Sequence, residues 1–383
     1  MDTKDKLQLP PAEGLFDRII QFSICNAIWV MLFVVAWIGV GIYSYQKLSI
    51  DAVPDITNVQ VQINSQAGGF TAPEVEQRIT YPIENAMSGI PNLEQTRSIS
   101  RYGLSQVTVI FKDGTDIYWA RQLINQRLQE AKSALPDDID PQMSPISTGL
   151  GEIYQWVIKA EPNAKKADGT PYQAMDLREI QDWIVRPQLQ RVPGVAEINT
   201  IGGYNKTYVV SPDLKRLQQL QIPLTDLQTV LTENNENRGA GFIEENGQQL
   251  TVRIPGMLKT VQDIENVTVS TKNGLPIRVA DVATVSIGHD LRTGGATYNG
   301  EETVLGIAMM MMGENSKSIA QALDSKMQEI KRSLPEGVVV ETVYNRSNLV
   351  DKAIKTVAKN LIEGAILVIV ILFVFLGNFR AAL

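Results

Sequence analysis

Two long apolar runs, one near each end of the chain, constrain the fold more than any other feature of the sequence. Residues 27–45 contain no charged side chain, and residues 361–376 contain one, Glu363, near their upstream end. The first run has the length of a helix that crosses a bilayer, roughly 17–25 residues, and the second is nearly as long. We therefore expect a chain held in a membrane at both ends, with a large water-exposed body between them.

The first run is predicted to be a retained membrane helix rather than a cleaved signal peptide. The apolar region of a signal peptide is usually shorter, about 7–15 residues, and precedes a cleavage site made of small residues. Here the run ends in Tyr43, Tyr45 and Lys47, which is typical of the interfacial end of a membrane helix. Basic residues before the first run, and Arg380 after the second, favour a cytoplasmic location for both ends of the chain.

Composition argues against several classes of function. The 383 residues include 35 Lys and Arg against 42 Asp and Glu, and this net charge of −7 argues against a nucleic-acid partner. A single cysteine, Cys25, rules out an intrachain disulfide and a thiolate metal cluster, and a single histidine, His289, argues against a His-rich metal site or a catalytic triad. Because common catalytic motifs are also missing, we expect neither enzymatic activity nor a tightly bound cofactor.

Between the apolar runs the sequence predicts mixed strands and helices. Strand patterns occur at residues 59–64, 96–100 and 106–111. A helix is predicted to begin after Thr71, because Glu74 follows three positions later, as in a capping box. A second helix is predicted from about Asp116 to Ala134, before Pro136.

One strand–helix unit occurs twice in the chain. Residues 107–136 and residues 304–335 each begin with a strand pattern, pass through a Gly turn and a long helix, and end in Leu-Pro, which an acidic residue follows. Such a repeat predicts two α+β subdomains of the same design. Chance similarity remains the alternative, because the repeat is short.

The region between the two copies is rich in short strands and turns. It begins near residue 191 and contains Asn246-Gly247 and Asn273-Gly274, which favour hairpin turns. A helix is predicted over residues 225–233, with Thr225 as its N-cap. Residues 234–249 are polar and weakly patterned, and on pattern alone a surface loop is favoured over an arm that contacts a partner.

Few residues are candidates for binding chemistry. Glu152 and Asp182 lie next to apolar segments, so each either faces solvent, which composition alone favours, or lines a polar cleft able to hold a divalent cation. The run 309–312 consists of four methionines, soft ligands that suit copper(I); core packing is favoured, since at most two can share one face of a strand. Glu363 is an acid within a predicted span, and contact with the interface is favoured for it over a buried role.

Six segments of the sequence stand out as motifs: DAVPDITNVQVQ at 51–62, TYPIE at 80–84, FKDGTDIYWAR at 111–121, YNRS at 344–347, LIEGA at 361–365 and FLGNFRAAL at 375–383. Together they resemble the heavy-metal efflux branch of the resistance–nodulation–division (RND) transporters, and within it the cobalt-zinc-cadmium type. The resemblance covers essentially the whole chain. It implies an α+β fold in which two transmembrane helices flank a large periplasmic region, made of two ferredoxin-like βαβ porter subdomains and an inserted β-rich docking subdomain.

The resemblance also implies a division of the chain into six segments. They are 1–46, the cytoplasmic N-terminus and first transmembrane helix; 47–140, porter subdomain PN1; 141–190, the first part of porter subdomain PN2; 191–284, docking subdomain DN; 285–345, the second part of PN2; and 346–383, the second transmembrane helix and the start of the next segment. Residues 71–87 would then line the central pore of a trimer.

Function, partners and sites follow from the same resemblance. It implies a proton-driven inner-membrane exporter of divalent cations of the zinc, cobalt, cadmium or nickel class, working as a homotrimer with a periplasmic adaptor and an outer-membrane channel. Glu152 and Asp182 would contribute to the substrate cleft, with the cation as transported substrate. The 234–249 segment would be the arm that contacts the neighbouring protomer, which reverses the preference for a loop; its contact residues would be Asn234, Asn235, Asn237, Arg238 and Phe242.

The chain departs from the family pattern by ending just after the second apolar run. The later spans with their acidic proton-relay residues, and the second periplasmic half, are not in this sequence, so it resembles an N-terminal portion of a pump. Two alternatives are a non-transporting assembly or binding module and a portion of a multidrug-type RND pump.

Overall fold

The computed structural model describes residue 14, residues 22–23, residues 26–47, and residues 57–377 apart from 246, 255, 273 and 293. Several features predicted from the sequence lie outside these residues. They are the basic segment before the first apolar run, the 51–56 part of the first family motif, the asparagines of both Asn-Gly pairs, and residues 378–383.

The first apolar run forms a helix, α1, Ala27–Lys47. Its apolar helical stretch, Ile28–Ser44, is shorter than the helix Arg346–Phe375 that contains the second run. Large apolar side chains such as Trp29, Phe33 and Trp37 are exposed along it. In water such exposure would be unfavourable, which fits a helix that requires an apolar surrounding.

The first sheet has four antiparallel strands in the order β2-β3-β1-β4. The strands are β1, Gln60–Gln66; β2, Leu93–Arg101; β3, Leu104–Phe111; and β4, Gln142–Met143. The helices beside them are α2, Ala72–Val75, a π turn Glu76–Thr80, α3, Tyr81–Met87, and α4, Ile117–Ala131. The strands and helix starts predicted between residues 59 and 134 are confirmed.

Side-chain caps explain where these helices begin. The Glu74 carboxylate accepts hydrogen bonds from the Thr71 backbone N–H at 2.9 Å and from its hydroxyl at 2.7 Å. Asp116 caps α4 by accepting the backbone N–H of Tyr118 at 2.7 Å. Each cap satisfies N–H groups that have no partner inside the helix.

The second sheet begins in the next part of the chain. A 3₁₀ turn, Gly149–Gly151, leads into β5, Glu152–Ala160, and the chain continues through α5, Ala174–Ile180, a π turn Gln181–Val185, α6, Arg186–Leu189, and β6, Val195–Ile201. Pro187 follows this π turn as Pro82 follows the first one. Proline has no backbone N–H and therefore interrupts the α-helical hydrogen bonds. Just before each proline, the backbone N–H bonds to the carbonyl five positions earlier: Tyr81 to Glu76, and Arg186 to Gln181.

An inserted unit follows β6, before the chain returns to the second sheet. Its elements are β7, Lys206–Pro212; α7, Leu214–Gln219; α8, Leu224–Glu233; β8, Arg238–Glu245; β9, Gln248–Ile254; α9, Val261–Glu265; β10, Thr268–Lys272; β11, Leu275–Arg278; α10, Val279–Val282; and β12, Ala283–His289. The described strands pair as three antiparallel ribbons, β7 with β12, β8 with β9, and β10 with β11.

One sequence prediction in the inserted unit was wrong in detail. Thr225 lies inside α8, because the extended backbone of Pro223 makes that residue the N-cap and the helix begins at Leu224. Most of the weakly patterned stretch 234–249, for which the pattern alone favoured a loop and the resemblance an arm, belongs to the β8–β9 hairpin. The described side chains from residue 241 to 251 are all exposed, so the apolar alternation that marks a half-buried strand does not arise.

The chain then returns to the second sheet with β13, Ala296–Tyr298; β14, Glu301–Met310; α11, Ser316–Lys331; and β15, Val338–Asn345. Strand β14 pairs with both β5 and β6, and β5 pairs with β15, so the order is β6-β14-β5-β15 with β13 beside the start of β14. This order matches the first sheet strand for strand. The sequence repeat falls on β3 and α4 in the first sheet and on β14 and α11 in the second, and in each case the next strand, β4 or β15, follows it.

Three hydrophobic cores lie within the described residues. The first packs the first sheet against its helices, with Ile63, Ile79 and Phe111 fully buried. The second does the same around Tyr154 and Trp156 and includes Met310, which supports core packing for that methionine. The third belongs to the inserted unit and contains residues between 217 and 285.

The last described element is a long helix that starts directly from β15. This helix, α12, spans Arg346–Leu376, and its Arg346–Phe375 portion is the one described helix long and apolar enough to cross a membrane. Its first turns are fixed to the second sheet: buried Arg346 donates to the Leu150 carbonyl at 2.6 Å, and Asp351 pairs with Lys317 of α11 at 2.5 Å. Further along it, Glu363 lies 3.7 Å from Lys359.

Candidate cation sites and the exposed hairpin

Asp182 lies on the second π turn and has both carboxylate oxygens engaged. Arg178, one helical turn earlier, donates from Nε to Oδ2 at 2.6 Å, and the Thr200 hydroxyl of β6 donates to Oδ1 at 3.0 Å. The side chains of Arg178 and Asp182 are 23% and 19% exposed, so water screens this pair less than it would a surface pair. Asp182 is therefore neither a solvated surface acid nor a free ligand.

A cavity of about 260 Å³ lies beside Asp182, at the junction of the second sheet's helices and the inserted unit. It is lined by Arg178, Glu179, Asp182, Trp183, Asn205, Lys206 and Tyr208. Glu179 pairs with Lys206 of β7 at 3.3 Å, so each acid in this cavity has an internal basic partner. A cation that enters the cavity competes with those partners for the carboxylates.

Glu152 occupies a different place, at the start of β5. Its carboxylate accepts a hydrogen bond from the Gln155 side chain at 3.0 Å. It lines a cavity of about 270 Å³ together with Gly149, Leu150, Gln155, Tyr344 and Arg346. The structure thus places Glu152 and Asp182 in separate cavities. Within the described residues, no three or more His, Cys, Asp or Glu side chains come together in a metal-binding group.

Sequence reasoning missed an acidic cleft between the two sheets. A cavity of about 650 Å³ is lined by Asn64 and Gln66 of β1, the segment after α4, and Arg186 and Glu197 from the second sheet's unit. Asp138 and Asp140 belong to its wall. The acidic run at 137–140 was a visible signal, but Glu197 reaches the cleft only through the tertiary fold.

The charge of this cleft is set by fixed partners. Lys132 lies 2.8 Å from Asp140, and its hydrogen bond, together with one from Gln142, holds the pKa of the Asp140 carboxyl below its usual range. Asp140 therefore stays ionised at neutral pH. Residues with carboxylate and amide oxygens line the cleft together with Arg186, which suits weak, hydrated binding of a hard cation better than a closed site.

The β8–β9 hairpin carries two of the five residues predicted for the trimer contact, Arg238 and Phe242. Phe242 and Ile243 are more than half exposed, and Leu250 opposite Ile243 is nearly so. Asn235 and Asn237 fix the base of the hairpin, because their side-chain oxygens accept the backbone N–H groups of Leu258 and Gly256, each at 3.1 Å. The hairpin therefore presents apolar side chains to its surroundings from an ordered base.

The other predicted contact residues have different positions. Asn234 closes the C-terminus of α8, where its side chain donates to the Val230 carbonyl at 2.8 Å. The backbone of Arg238 begins β8, while its side chain lies outside the described part of the chain.

The family model for AcrB/AcrD/AcrF proteins matches residues 19–383, nearly the whole chain. This chain belongs to the AcrB/AcrD/AcrF family. The chain also superposes on an X-ray crystal structure of a heavy metal efflux pump, with a TM-score of 0.83 and 31% sequence identity. The superposed region covers 94% of this chain and 36% of the pump. The resemblance to heavy-metal efflux pumps noted from the sequence is confirmed.

Two curated relatives of the chain have names that refer to cation efflux or metal resistance. The chain is 61% identical over 369 residues to the cation efflux system protein CzcA of Alcaligenes sp. strain CT14, covering 96% of this chain. It is 44% identical to the nickel-cobalt-cadmium resistance protein NccA of Alcaligenes xylosoxydans xylosoxydans, covering 92% of this chain. In both cases the chain spans 35% of the relative's own length.

Proposed function

We propose that the chain is the N-terminal portion of a proton-driven inner-membrane pump that exports divalent heavy-metal cations. The 61% identity to CzcA carries this proposal, because the aligned region covers 96% of the chain and therefore all three cores. The named relatives are cation or metal transporters rather than drug transporters, which favours a metal pump over a multidrug pump. No feature of the described residues favours the assembly-module alternative.

The architecture supports a division into porter and docking parts. The first sheet would be porter subdomain PN1, residues 47–140. The second sheet would be PN2, predicted at residues 141–190 and 285–345, together with β6, Val195–Ile201, which pairs with β14. The inserted unit, β7 to β12, would be the docking subdomain DN and would run from Lys206 to His289 rather than over the predicted 191–284. The shared strand order of the two sheets, with helices on one side, supports a ferredoxin-like fold for each porter subdomain. Helices α1 and α12 would flank this periplasmic body as the first two spans of a multi-pass protein.

Cation capture would use acids that are spaced apart rather than clustered. Glu152 and Asp182 are the proposed ligands of this half of the pump, and the acidic cleft between the sheets would concentrate cations near them. Separate, partly hydrated oxygen sites bind a divalent cation weakly, which suits a substrate that must also leave. The cation is the transported substrate, and no tightly bound cofactor is proposed.

The apolar surface of the hairpin supports a homotrimer. Phe242 and Ile243 would insert into the neighbouring protomer, and Asn235 and Asn237 would hold the hairpin in position for this contact. The inserted unit would face a periplasmic adaptor and an outer-membrane channel, while the two apolar helices contact membrane lipid.

Two substitutions test this function in a full-length pump that contains the chain. Glu152→Ala and Asp182→Ala should each lower zinc and cobalt resistance of a metal-sensitive host, because each removes a proposed ligand. Glu161→Ala, an exposed acid at the end of β5, is the matched control and should leave resistance unchanged. Wild-type resistance in both test variants, at equal protein levels, would show that neither acid is a needed ligand.

A further inference from the structure

The guanidinium of Arg178 already occupies the position that a cation would take on Asp182. Its Nε lies 2.6 Å from Oδ2, and the Thr200 hydroxyl takes Oδ1, so neither oxygen is open to a metal ion. A divalent cation and a guanidinium a few ångströms apart repel each other strongly at a site that water screens only in part. If Asp182 binds the transported cation, Arg178 has to leave its present position.

The same guanidinium holds the connection to the inserted unit. Arg178 Nη1 donates to the Gly202 carbonyl at 2.9 Å. Gly202 and Gly203 join β6 to β7, and both have positive φ, +83° and +65°. A side chain at Gly203 would lie 2.8 Å from the Ala174 carbonyl oxygen and from Cβ of Arg178, so the chain passes α5 in close contact. Arg178 therefore fastens this connection to the same helix that carries Asp182.

A second cavity adjoins the Arg178 side chain. It measures about 500 Å³, and its wall includes Arg178 together with Asp290 and Arg292 from the return connection of the inserted unit. Asp290 accepts a hydrogen bond from Asn205 at 2.7 Å but has no cationic partner among the described ion pairs, because Arg292 pairs with Glu302 instead. A guanidinium released from Asp182 would thus share this cavity with a carboxylate that no described cation neutralises.

We propose that Arg178 is an internal counter-ion that the transported divalent cation displaces from Asp182, and that its release frees the Gly202 carbonyl and loosens the connection to the inserted unit. This rests on the proposed function, since it takes Asp182 as a ligand of the cation. Because binding free energies are reciprocal, tightening the connection must in turn weaken cation binding at Asp182. Arg178 is thus a gating residue that couples cation loading to the position of the inserted unit.

Transport kinetics of a full-length pump that contains the chain provide the first test, with Zn²⁺ or Co²⁺ uptake into inside-out proteoliposomes under an imposed proton gradient. Arg178→Gln should lower KM about fivefold, since a half-buried ion pair contributes about 1 kcal/mol of competition, and should lower kcat because coupling is lost. Arg178→Lys keeps the charge and should retain a near-native KM. Arg216→Gln is the matched control, since Arg216 also pairs with an aspartate, Asp213, and with a carbonyl, but outside the cavity.

A structural role for Arg178 would give a different result. With a purely structural role, Arg178→Gln would have an unchanged or raised KM while the wild-type pump transports normally. This outcome would overturn the gating proposal but not the proposed function. A wild-type pump that transports neither Zn²⁺ nor Co²⁺ overturns the proposed function and, with it, the gate.

Hydrogen exchange in the wild-type pump tests the gate without any substitution. Addition of Zn²⁺ or Co²⁺ should speed amide exchange several-fold in residues 202–206, because release of Arg178 loosens this segment. Exchange in residues 261–265, in α9 of the same unit, should not change. Equal or slower exchange in residues 202–206 with cation bound would overturn the proposal even if Arg178→Gln failed to fold.

Discussion

Gly306 lies opposite the indole ring of Trp156 in the second core. A methyl group on Gly306 would overlap the Trp156 ring. The ring cannot easily move aside, because Trp156 is fully buried and its Nε1–H donates to Gln181 at 2.9 Å. This contact joins β14, β5 and the second π turn at one point, close to the segment that carries Asp182.

Gly306→Ala should therefore lower the free energy of unfolding by about 1–3 kcal/mol, the usual effect of overpacking a core. Thermal melts followed by circular dichroism in detergent measure the change. Gly68→Ala is the control, since no atom lies within 4 Å of its added methyl and its φ is not positive; it should shift stability by less than about 0.5 kcal/mol. Equal melting temperatures for the two variants would contradict this picture of the core.

Local interactions between residues were predictable, and distant ones were not. The hydrogen bonds between Thr71 and Glu74 were predictable from their spacing alone, because a capping interaction spans only one helical turn. The i, i+4 spacing of Arg178 and Asp182 was also a usable signal for their pairing. Thr200 lies on a different strand, and no sequence spacing connects it to Asp182. That both oxygens of the Asp182 carboxylate already have partners therefore follows only from the folded structure.

The two π turns show how one residue type sets the shape of an element. Pro82 and Pro187 interrupt equivalent helices, and in each the widened turn lies immediately before the residue that precedes proline. The sequence signalled a helix at residues 71–87 but not its widened turn, because apolar periodicity tolerates one extra residue. In the second helix this turn carries Asp182 and Trp183, and such turns often occur at functional sites.

The β8–β9 hairpin gives a prediction about assembly. The double variant Phe242→Asp, Ile243→Asp should convert a trimeric full-length pump largely to monomers, because charges replace the apolar contact surface. The separated protomers should stay folded, since both side chains are exposed in the single chain and surface changes have small effects. Native mass spectrometry gives the oligomeric state. Leu275→Asp, an exposed leucine on the β10–β11 hairpin, is the control and should leave the trimer intact.

At the scale of the whole molecule, the two sheets share a strand order, but one is formed by a continuous chain segment and the other by two separate segments. The first core is drawn only from residues 59–143. The second core combines residues 153–198 with residues 304–340. The strand–helix repeat was readable from the sequence, because both copies keep the same turn and helix-end signals. The sequence did not indicate which strands lie side by side, since β14 pairs with strands that precede the inserted unit.

This difference predicts how pieces of the chain behave. A piece spanning residues 57–145 should fold by itself and melt cooperatively, because it contains every member of its core. A piece spanning residues 149–204 should remain unfolded, because it holds β5 and β6 without β14, the strand that joins them. Circular dichroism melts and the dispersion of amide signals in NMR spectra distinguish the two outcomes. Cooperative melting of the second piece would contradict the described sheet order.

The split of the second sheet also has a consequence for synthesis on the ribosome. Strands β5 and β6 are made first, but they do not pair with each other, and β14 follows only after the inserted unit. At roughly 5–20 residues per second, the wait is on the order of ten seconds. Throughout that time Tyr154, Trp156 and Ile198 lack the strand that completes their core. The nascent chain is thus exposed to aggregation at this stage, and a chaperone that shields these two strands should raise the yield of folded protein.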